Sequence, residues 1–504
     1  MVLRRKLSWS KKRNLKDRLV KTVNRLNPAS QNIFFRILAG VTLSVWFAQP
    51  PEATADQPNI VLCMADDQGW GDTAYNGHPL LKTPHLDAMA ASGLRFDQFY
   101  AAAPVCSPTR GSVMTGRHPN RFGCFSWGRP IRPQEITIAE RLKKAGYATG
   151  HFGKWHLGSV LKDSPVNPGN SGFDQWLSAF NFYDNDPVLS REGVAIELKG
   201  ESSIVAADAA IEFIQEQAKS SKPFLAVVWF GSPHSPHRAA AEDLAHYEGQ
   251  KNADWLGEIS GLDRAVGKLR TALEEAGVSD NTLLWYTSDN GGLKLDSSGG
   301  RGKKGAIYEG GLRVPSIIQW PNRIKSPRIT PVPGNTADIY PTILEILEIE
   351  PTNQPVLDGV SLVSVIDGKS DTRPKPMGFW KANQRGTSTP SDKWMREELA
   401  AQQAGKDYHD PSRLFVDAGE ITTRFPNNEF IGHAAWLDWP WKLHRIEGGK
   451  KGEKTIAWEL YNLEDDPMET ENLSDSKVNR VTTMRPELET WLNSVVDSLN
   501  GNDY

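Results

Sequence analysis

What most constrains the fold of this chain is a series of short apolar runs, each parted from the next by a helix-like stretch. Asn59–Ala65 (NIVLCMA), Pro223–Phe230 (PFLAVVWF) and Asn281–Thr287 (NTLLWYT) are nearly continuous in apolar residues, and ATGHFG at 148–153 reads as a further strand. A strand with one solvated face alternates polar and apolar side chains, whereas a run that is apolar throughout belongs to a strand buried on both faces. Thr137–Gly146 (TIAERLKKAG) reads as a helix stopped by its glycine, and Ser203–Lys219 and Ala253–Gly277 carry helical spacing. Strands alternating with helices in this way predict an α/β fold, a large and mostly parallel sheet sandwiched by helices. Between about 365 and 430 the pattern weakens into polar, proline-containing sequence. Beyond it Gly432–Trp439, Trp441–Ile446 and Thr455–Asn462, the last two joined across Gly448-Gly-Lys-Lys-Gly452, and a helix over Arg485–Asn500 predict a small C-terminal subdomain of short antiparallel strands. The expected division is a leader over 1–55, a main α/β domain over 56–375 and the C-terminal subdomain over 376–504.

A chain of 504 residues buries enough core to need no covalent staples, and three cysteines could not supply a disulfide framework. With 39% hydrophobic and 24% charged residues it is neither disordered nor an integral membrane protein. Charge is unevenly spread. Residues 1–55 are net +9, which leaves −12 on the remainder of a chain whose formal net charge is −3. So acidic a body is not a generic nucleic-acid binder. The basic start, the apolar run Ile37–Ala48 and the small-residue triplet Ala53-Thr54-Ala55 follow the order of a cleaved secretory signal. The run is shorter than the ~20 residues of a comfortable membrane span. Cleavage after Ala55 would leave an exported protein, periplasmic or secreted, with no stable membrane span; the alternative is an uncleaved segment that anchors the protein at a membrane surface.

The polar residues gather where strands end. The first strand runs into Asp66-Asp67, the second into Lys154-Trp155-His156, the third into His234 and His237, and the fourth into Asp289-Asn290. In open parallel sheets ligands bind outside the carboxyl ends of the strands. Asp66, Asp67, Asp289 and Asn290 offer only oxygen donors, which suits Ca²⁺ or, less well, Mg²⁺, rather than zinc. Each dipeptide taken singly reads first as turn chemistry closing its strand. Together, three carboxylates at two strand ends would repel unless a cation lay between them. His156 and His234 taken alone read as satisfied loop histidines, and His237 has no separate case. Lys154 and the pair Lys303-Lys304, in Gly299-Gly-Arg-Gly-Lys-Lys-Gly305, read either as solvated charge or as holders of an oxyanion.

Ala103-Pro-Val-Cys106-Ser-Pro108-Thr-Arg110 sets a cysteine just before a predicted helix, with Pro108 in its first turn. A helix N-terminus favours anions and negative transition states. A free exported thiol there would be reactive and open to oxidation. Cys63 reads as a buried strand residue, and Cys124 carries no functional signal.

At this point the chain resembles the type I sulfatase family of the alkaline-phosphatase-like superfamily. The signature Cys-x-Pro-x-Arg followed by Thr-Gly-Arg matches Cys106 to Arg117 without departure. The other blocks follow in order: Pro58-Asn-Ile-Val-Leu with Asp66-Asp67, Gly153-Lys-Trp-His-Leu-Gly158, His234-Ser-Pro236, Ser288-Asp-Asn-Gly-Gly292, Lys304 to Arg313, Trp441-Lys-Leu443, and Glu459 to Leu473. The likeness covers roughly residues 57–475.

The resemblance implies that a formylglycine-generating maturation enzyme oxidises Cys106 to Cα-formylglycine, whose hydrate attacks sulfur and later expels sulfate. It implies that Asp66, Asp67, Asp289 and Asn290, together with the modified Cys106, hold one Ca²⁺, and that Arg110 orients the diol. Lys154 and Lys304 would bind sulfate oxygens, Lys304 being preferred to Lys303 for its spacing to Tyr308-Glu309. His234 would contact the substrate and protonate the leaving alcohol, and His156 would take the second hydroxyl proton. The reaction implied is sulfate ester hydrolysis of a sulfated carbohydrate or an aryl sulfate. The rivals are phosphonate or phosphate ester hydrolysis within the same superfamily and non-catalytic binding of a sulfated glycan. Trp127 and Trp155 near the expected mouth, with Trp176 and Tyr183 in an Asn/Asp-rich stretch, suggest faces for sugar rings, which favours carbohydrate.

Overall fold

The centre of the molecule is the Asn59–Ala65 strand, all seven of whose residues are buried. The structure, a computed structural model, describes residues 57–406, 410–449 and 454–504. The expected leader and most of the Gly-Gly-Lys-Lys-Gly turn lie outside the described residues. The strands in chain order are β1 (Asn59–Ala65), β2 (Leu94–Phe96), β3 (Phe99–Tyr100), β4 (Ala148–Lys154), β5 (Gln175–Ala179), β6 (Val188–Arg191), β7 (Val194–Glu197), β8 (Phe224–Trp229), β9 (Thr282–Ser288), β10 (Ser316–Gln319), β11 (Arg328–Thr330), β12 (Gly334–Asn335), β13 (Met377–Lys381), β14 (His433–Asp438), β15 (Trp441–Gly448) and β16 (Thr455–Asn462).

Ten of them form one sheet in the order β11-β2-β10-β9-β1-β8-β4-β5-β6-β7. Its heart, β9-β1-β8-β4-β5, is parallel throughout, while β10 and the β6–β7 ribbon run antiparallel at its flanks. The helices of seven or more residues are α1 (Pro84–Ser92), α2 (Cys106–Thr115), α3 (Ile138–Lys144), α4 (Ser202–Ser220), α5 (Ala253–Glu275), α6 (Ile339–Ile346), α7 (Ser391–Gln403) and α8 (Val478–Leu499).

Both faces of the sheet are covered, as the apolar runs require. Ile60, Leu62 and Met64 point into one core with Val113 of α2, Leu142 of α3 and Ile343 of α6. Val61, Cys63 and Ala65 point into the other with Phe213 of α4 and Leu262 and Val266 of α5. Burying each large aliphatic side chain contributes about 1.5–3 kcal/mol, so the two cores dominate the favourable side of folding. Local signals agree. Thr137 caps α3 through Glu140 N, while the Glu140 carboxylate accepts from Thr137 N at 2.8 Å, a complete capping box.

The C-terminal sheet is antiparallel, in the order β13-β14-β15-β16. It has one strand more than the sequence suggests, because β13 comes from the weakly patterned stretch and joins β14 across a long excursion. That stretch also contains α7, whose fully buried residues are Ser391, Met395 and Glu398, with Trp394 and Leu399 packed part-buried beside them, too short an apolar set to show as periodicity. Helix α8 starts at Val478 rather than Arg485 and carries Pro486 inside it. Met484 and Leu488 on either side of the proline are fully buried in the same core as Trp380, Trp436 and Leu460, so packing holds a turn that local propensity would end.

Candidate active site

Because β1, β4, β8 and β9 are parallel, their carboxyl ends open on one edge, and the residues after them converge there. Asp66 and Asp67 follow β1, His156 and His234 follow β4 and β8, and Asp289 and Asn290 follow β9; Lys154 is the last residue of β4. Helix α2 brings Cys106 in its first turn and Arg110 one turn on, every residue of the helix being buried. Cys106 is therefore inside the helix rather than before it, with extended Val105 as the cap.

Arg110 is the hub. Its guanidinium donates to Asp289 Oδ2 from Nε at 3.1 Å and from Nη2 at 2.7 Å, and to the Lys154 carbonyl at 3.1 Å. Lys154 Nζ bonds Asp66 Oδ2 at 2.7 Å. Lys304 Nζ lies 2.6 Å from Asp67 Oδ1 and 2.7 Å from Oδ2. The Asn290 amide donates to Asp67 Oδ1 at 2.8 Å, and Asp67 N donates to Asp289 Oδ1 at 3.1 Å. Cys106 Sγ sits 4.0 Å from Asp67 Oδ1, and His234 Nε2 sits 3.7 Å from Oδ2. Ligand atoms of Asp66, Asp67, Cys106 and His234 all lie within 4.8 Å of one another. Lys304 reaches this cluster, whereas Lys303 is exposed.

Three carboxylates thus meet three side-chain cations, Arg110, Lys154 and Lys304, and their mutual repulsion is relieved within the protein. Repulsion alone therefore does not demand a metal, contrary to the sequence argument. The donor chemistry does point to one: Asp66 Oδ1 and Asn290 Oδ1 are buried and have no hydrogen-bond partner. An unsatisfied buried carboxylate oxygen and an unsatisfied buried amide oxygen among these residues suit a hard cation.

The electrostatics follow from burial and these neighbours. Burial pushes the Cys106 thiol up to about 12, against the pull of Lys154 and Lys304. Burial would also raise Asp67, but Lys304, His234 and Lys154 outweigh it and hold its carboxyl at about 2. Asp289 rises to about 6 through burial and the nearby Asp66. Burial lowers His234 to about 4 despite Asp67. Burial, then Lys154 and Arg110, keep His156 neutral, and neither of its ring nitrogens has a partner. Asp67 and His156 are also held at φ 73° and 55°, in the left-handed region that non-glycine residues rarely occupy, and such strain clusters at functional sites.

Some assignments move. Trp155 is wholly buried, with its indole N–H on the Val166 carbonyl at 2.9 Å, and packs in the core rather than at a mouth. Tyr183 is buried and Trp176 belongs to β5, while Trp127 is 42% exposed. His237 is drawn away by Glu258 at 3.0 Å. The stretch after β5 contributes Phe182 instead, whose ring stacks on His234 at 4.2 Å. With His234 Nδ1 at 2.6 Å from the Ser235 carbonyl, the ring is fixed with Nδ1 carrying the proton and Nε2 turned toward Asp67. The sequence offered no sign of Phe182, because stacking on a histidine leaves no spacing.

A second set that sequence reasoning missed supports the Lys304 loop. Lys304 N bonds the Gly292 carbonyl at 3.0 Å and Gly305 N the Pro104 carbonyl at 2.8 Å, tying the loop to the chain after Asn290 and before Cys106. Five residues on, Glu309 accepts from the buried Lys442 at 2.9 Å, and Lys442 also reaches Glu469 at 3.1 Å. Glu469 in turn accepts from Glu309 N at 2.7 Å and bonds His444 at 2.9 Å. The C-terminal sheet thereby clamps the loop that carries Lys304.

Known proteins resemble this chain in sequence and in fold. The family model described as Sulfatase matches residues 58–349. The N-acetylgalactosamine-6-sulfatase of Canis lupus familiaris is 34% identical over 358 residues, 63% of this chain and 67% of that protein. Arylsulfatase A of Homo sapiens is 32% identical over 375 residues, 65% and 71% of the two chains. Among solved structures, Ps i-CgsB in complex with k-i-k-neocarrahexaose superposes with a TM-score of 0.71 at 25% identity, covering 88% of this chain and 94% of that one. Matched over more than half its length by the family model, with its strand ends and α2 converging as described, the chain belongs to the sulfatase family and is a sulfatase.

Proposed function

We propose that this sulfatase is exported and cleaves sulfate esters of extracellular carbohydrates, with a nucleophile made from Cys106 and with Ca²⁺ as its metal. The observation that carries the reading is the state of Cys106. Its thiol is 1% exposed and held protonated at neutral pH, so it is a poor nucleophile as it stands, although it lies at the focus of Asp66, Asp67, Arg110, Lys154 and Lys304. Conversion by a maturation enzyme to formylglycine supplies an oxygen nucleophile free of that difficulty. Asp66, Asp67, Asp289 and Asn290 would hold Ca²⁺, which supplies a Lewis acid for a sulfate oxygen, and the two unbonded buried oxygens support that fit.

The chain's own groups account for the rest. Lys154 and Lys304, which rest on Asp66 and Asp67, would bind sulfate oxygens as charge develops, and Arg110 fixes the first turn of α2 against Asp289. His156, neutral and with both nitrogens unbonded, is suited to accept a proton. His234 is neutral in the resting site, and an anionic ester beside Nε2 favours its protonated form, the state in which it delivers a proton to the leaving oxygen. The main α/β domain supplies every one of these residues; we assign it to 56–375, with 376–504 as the subdomain that braces it. Export rests on the basic-apolar-small leader of the sequence. Among the described residues no helix is long and apolar enough to cross a membrane.

Carbohydrate is preferred because the curated relatives include an N-acetylgalactosamine-6-sulfatase and the superposed Ps i-CgsB holds a neocarrahexaose. The test is release of sulfate against phosphate from matched aryl esters, alongside sulfated mono- and oligosaccharides. Faster sulfate release, with a sugar as the best substrate, is expected. Faster phosphate release would overturn the reaction, and an aryl sulfate far ahead of every sugar would overturn the substrate class.

A further inference from the structure

A cavity of about 340 Å³, within the range of small-molecule pockets, is lined by chain that runs on from the site. Its walls continue the two loops that supply the carboxylates. One wall runs on from Asp66-Asp67 through Trp70 and Asn76, the other from Asp289-Asn290 through Lys294 and Asp296; Lys251 and Trp255, flanking the start of α5, close it. Trp70 is three residues from Asp67, a span of at most ~11 Å of extended chain. The walls are pinned to each other, with Gly71 N on the Ser297 carbonyl at 3.0 Å and the buried Asp72 carboxylate accepting from both Gly69 N and Ser297 Oγ. The cavity is thus a built feature in fixed register with the catalytic residues.

Its chemistry is specific. Lys294 Nζ stands 5.4 Å from the centre of the Trp255 ring, and among the described residues neither Lys294 nor Lys251 has a carboxylate within ion-pair distance. Asp296 is the one acid among the lining residues, so the wall is net cationic. Trp70 is braced on one side by the Arg313 guanidinium, 4.0 Å from its ring centre. Indole surface, an amide and a carboxylate for hydroxyl groups, and unpaired ammonium groups for an anion are what a charged sugar ring needs.

We propose that this cavity is a subsite for a second, anionic sugar unit, sulfated or a uronic acid, joined to the unit whose sulfate ester is cleaved. The inference rests on the carbohydrate reading above. It is tested with a panel sharing one target sulfate: the sulfated monosaccharide, and disaccharides whose neighbouring unit is neutral, sulfated or a uronate, with p-nitrophenyl sulfate as a substrate that has no neighbouring sugar. Lys294, which has no hydrogen bond or ion pair among the described residues, is replaced in Lys294→Ala, and Lys251 with it in a double variant.

The wild type should favour an anionic neighbour over the monosaccharide by about tenfold or more in kcat/KM, expressed mainly in KM. Lys294→Ala should remove most of that preference and leave turnover of the monosaccharide and of p-nitrophenyl sulfate within about twofold. The sulfated and uronate disaccharides show which anion is read. A preference that survives the double variant, or a neutral neighbour that serves equally well, would overturn the subsite while the carbohydrate reading stands. Turnover of the aryl ester alone would overturn both.

Discussion

At the scale of single residues, Asp289 has a structural role that does not depend on the proposed metal. Its Oδ2 holds Arg110 through two hydrogen bonds, and both side chains are fully buried. Asp289→Ala should therefore lower turnover by orders of magnitude and also destabilise the fold by about 3–5 kcal/mol, because it strands a buried guanidinium. Asp289→Asn keeps an acceptor oxygen and should lose most of the activity with a smaller loss of stability; urea unfolding of the two variants separates the roles. Equal stability of Asp289→Ala and wild type would contradict the buried pair. Asp66, Asp67, Lys154, His156, Asp289 and Asn290 were legible because strand ends in a parallel sheet share one edge. Cys106, Arg110 and Lys304 were legible only through motif. Trp155 was misplaced: a tryptophan between two site residues looks like a pocket wall, but a strand exit turns adjacent side chains to opposite sides, and this one turns into the core.

At the scale of elements, two buried ionic clusters join the C-terminal elements to the main sheet. Lys442 of β15 serves two carboxylates, Glu309 from the Lys304 loop and Glu469 from beyond β16. Lys442→Met would leave both without their cation; about 3–5 kcal/mol of stability should be lost, and Lys442→Arg should restore part of it, as read by urea unfolding. The second cluster is Arg121, whose guanidinium meets Asp358 at 2.6 Å and also bonds Ser494 and Ser498 of α8, while Asp358 accepts from the Trp491 indole at 2.8 Å. Burial would raise the Asp358 carboxyl, but Arg121 outweighs it and holds it well below the usual carboxylate range. A depressed carboxyl stabilises the fold above its unfolded pKa and loses that contribution as pH falls through the folded value. Asp358→Asn should thus be less stable by about 2–3 kcal/mol at pH 7, with the gap narrowing only below about pH 4. A gap that widens toward acid would refute the ion pair's role. The Trp441-Lys-Leu and Glu459–Leu473 blocks were visible in the sequence. Their purpose was not, since Lys442, Glu309 and Glu469 are far apart in the chain and only the folded sheets bring them together.

For the whole molecule, the layered α/β architecture was the most legible property, because apolar runs without alternation admit few arrangements other than a parallel sheet covered on both faces. The long stretch that contributes β13 and α7 was the least legible, since those elements are ordered by docking on the C-terminal sheet and on β6 and β7 rather than by a pattern of their own. The donor set predicts calcium. Elemental analysis of active protein should find it, and a chelator should lower both activity and thermal midpoint. A ligand present at 100 times its Kd stabilises the folded state by about 2.7 kcal/mol. Stoichiometric zinc without calcium would contradict the assignment. The central claim is that Cys106 works only after conversion. Peptide mass spectrometry of the Cys106 segment, on fractions of graded specific activity, tests it most directly. The account predicts that activity rises in proportion to the formylglycine aldehyde and its hydrate at residue 106; full activity in protein carrying only the unmodified cysteine would contradict it.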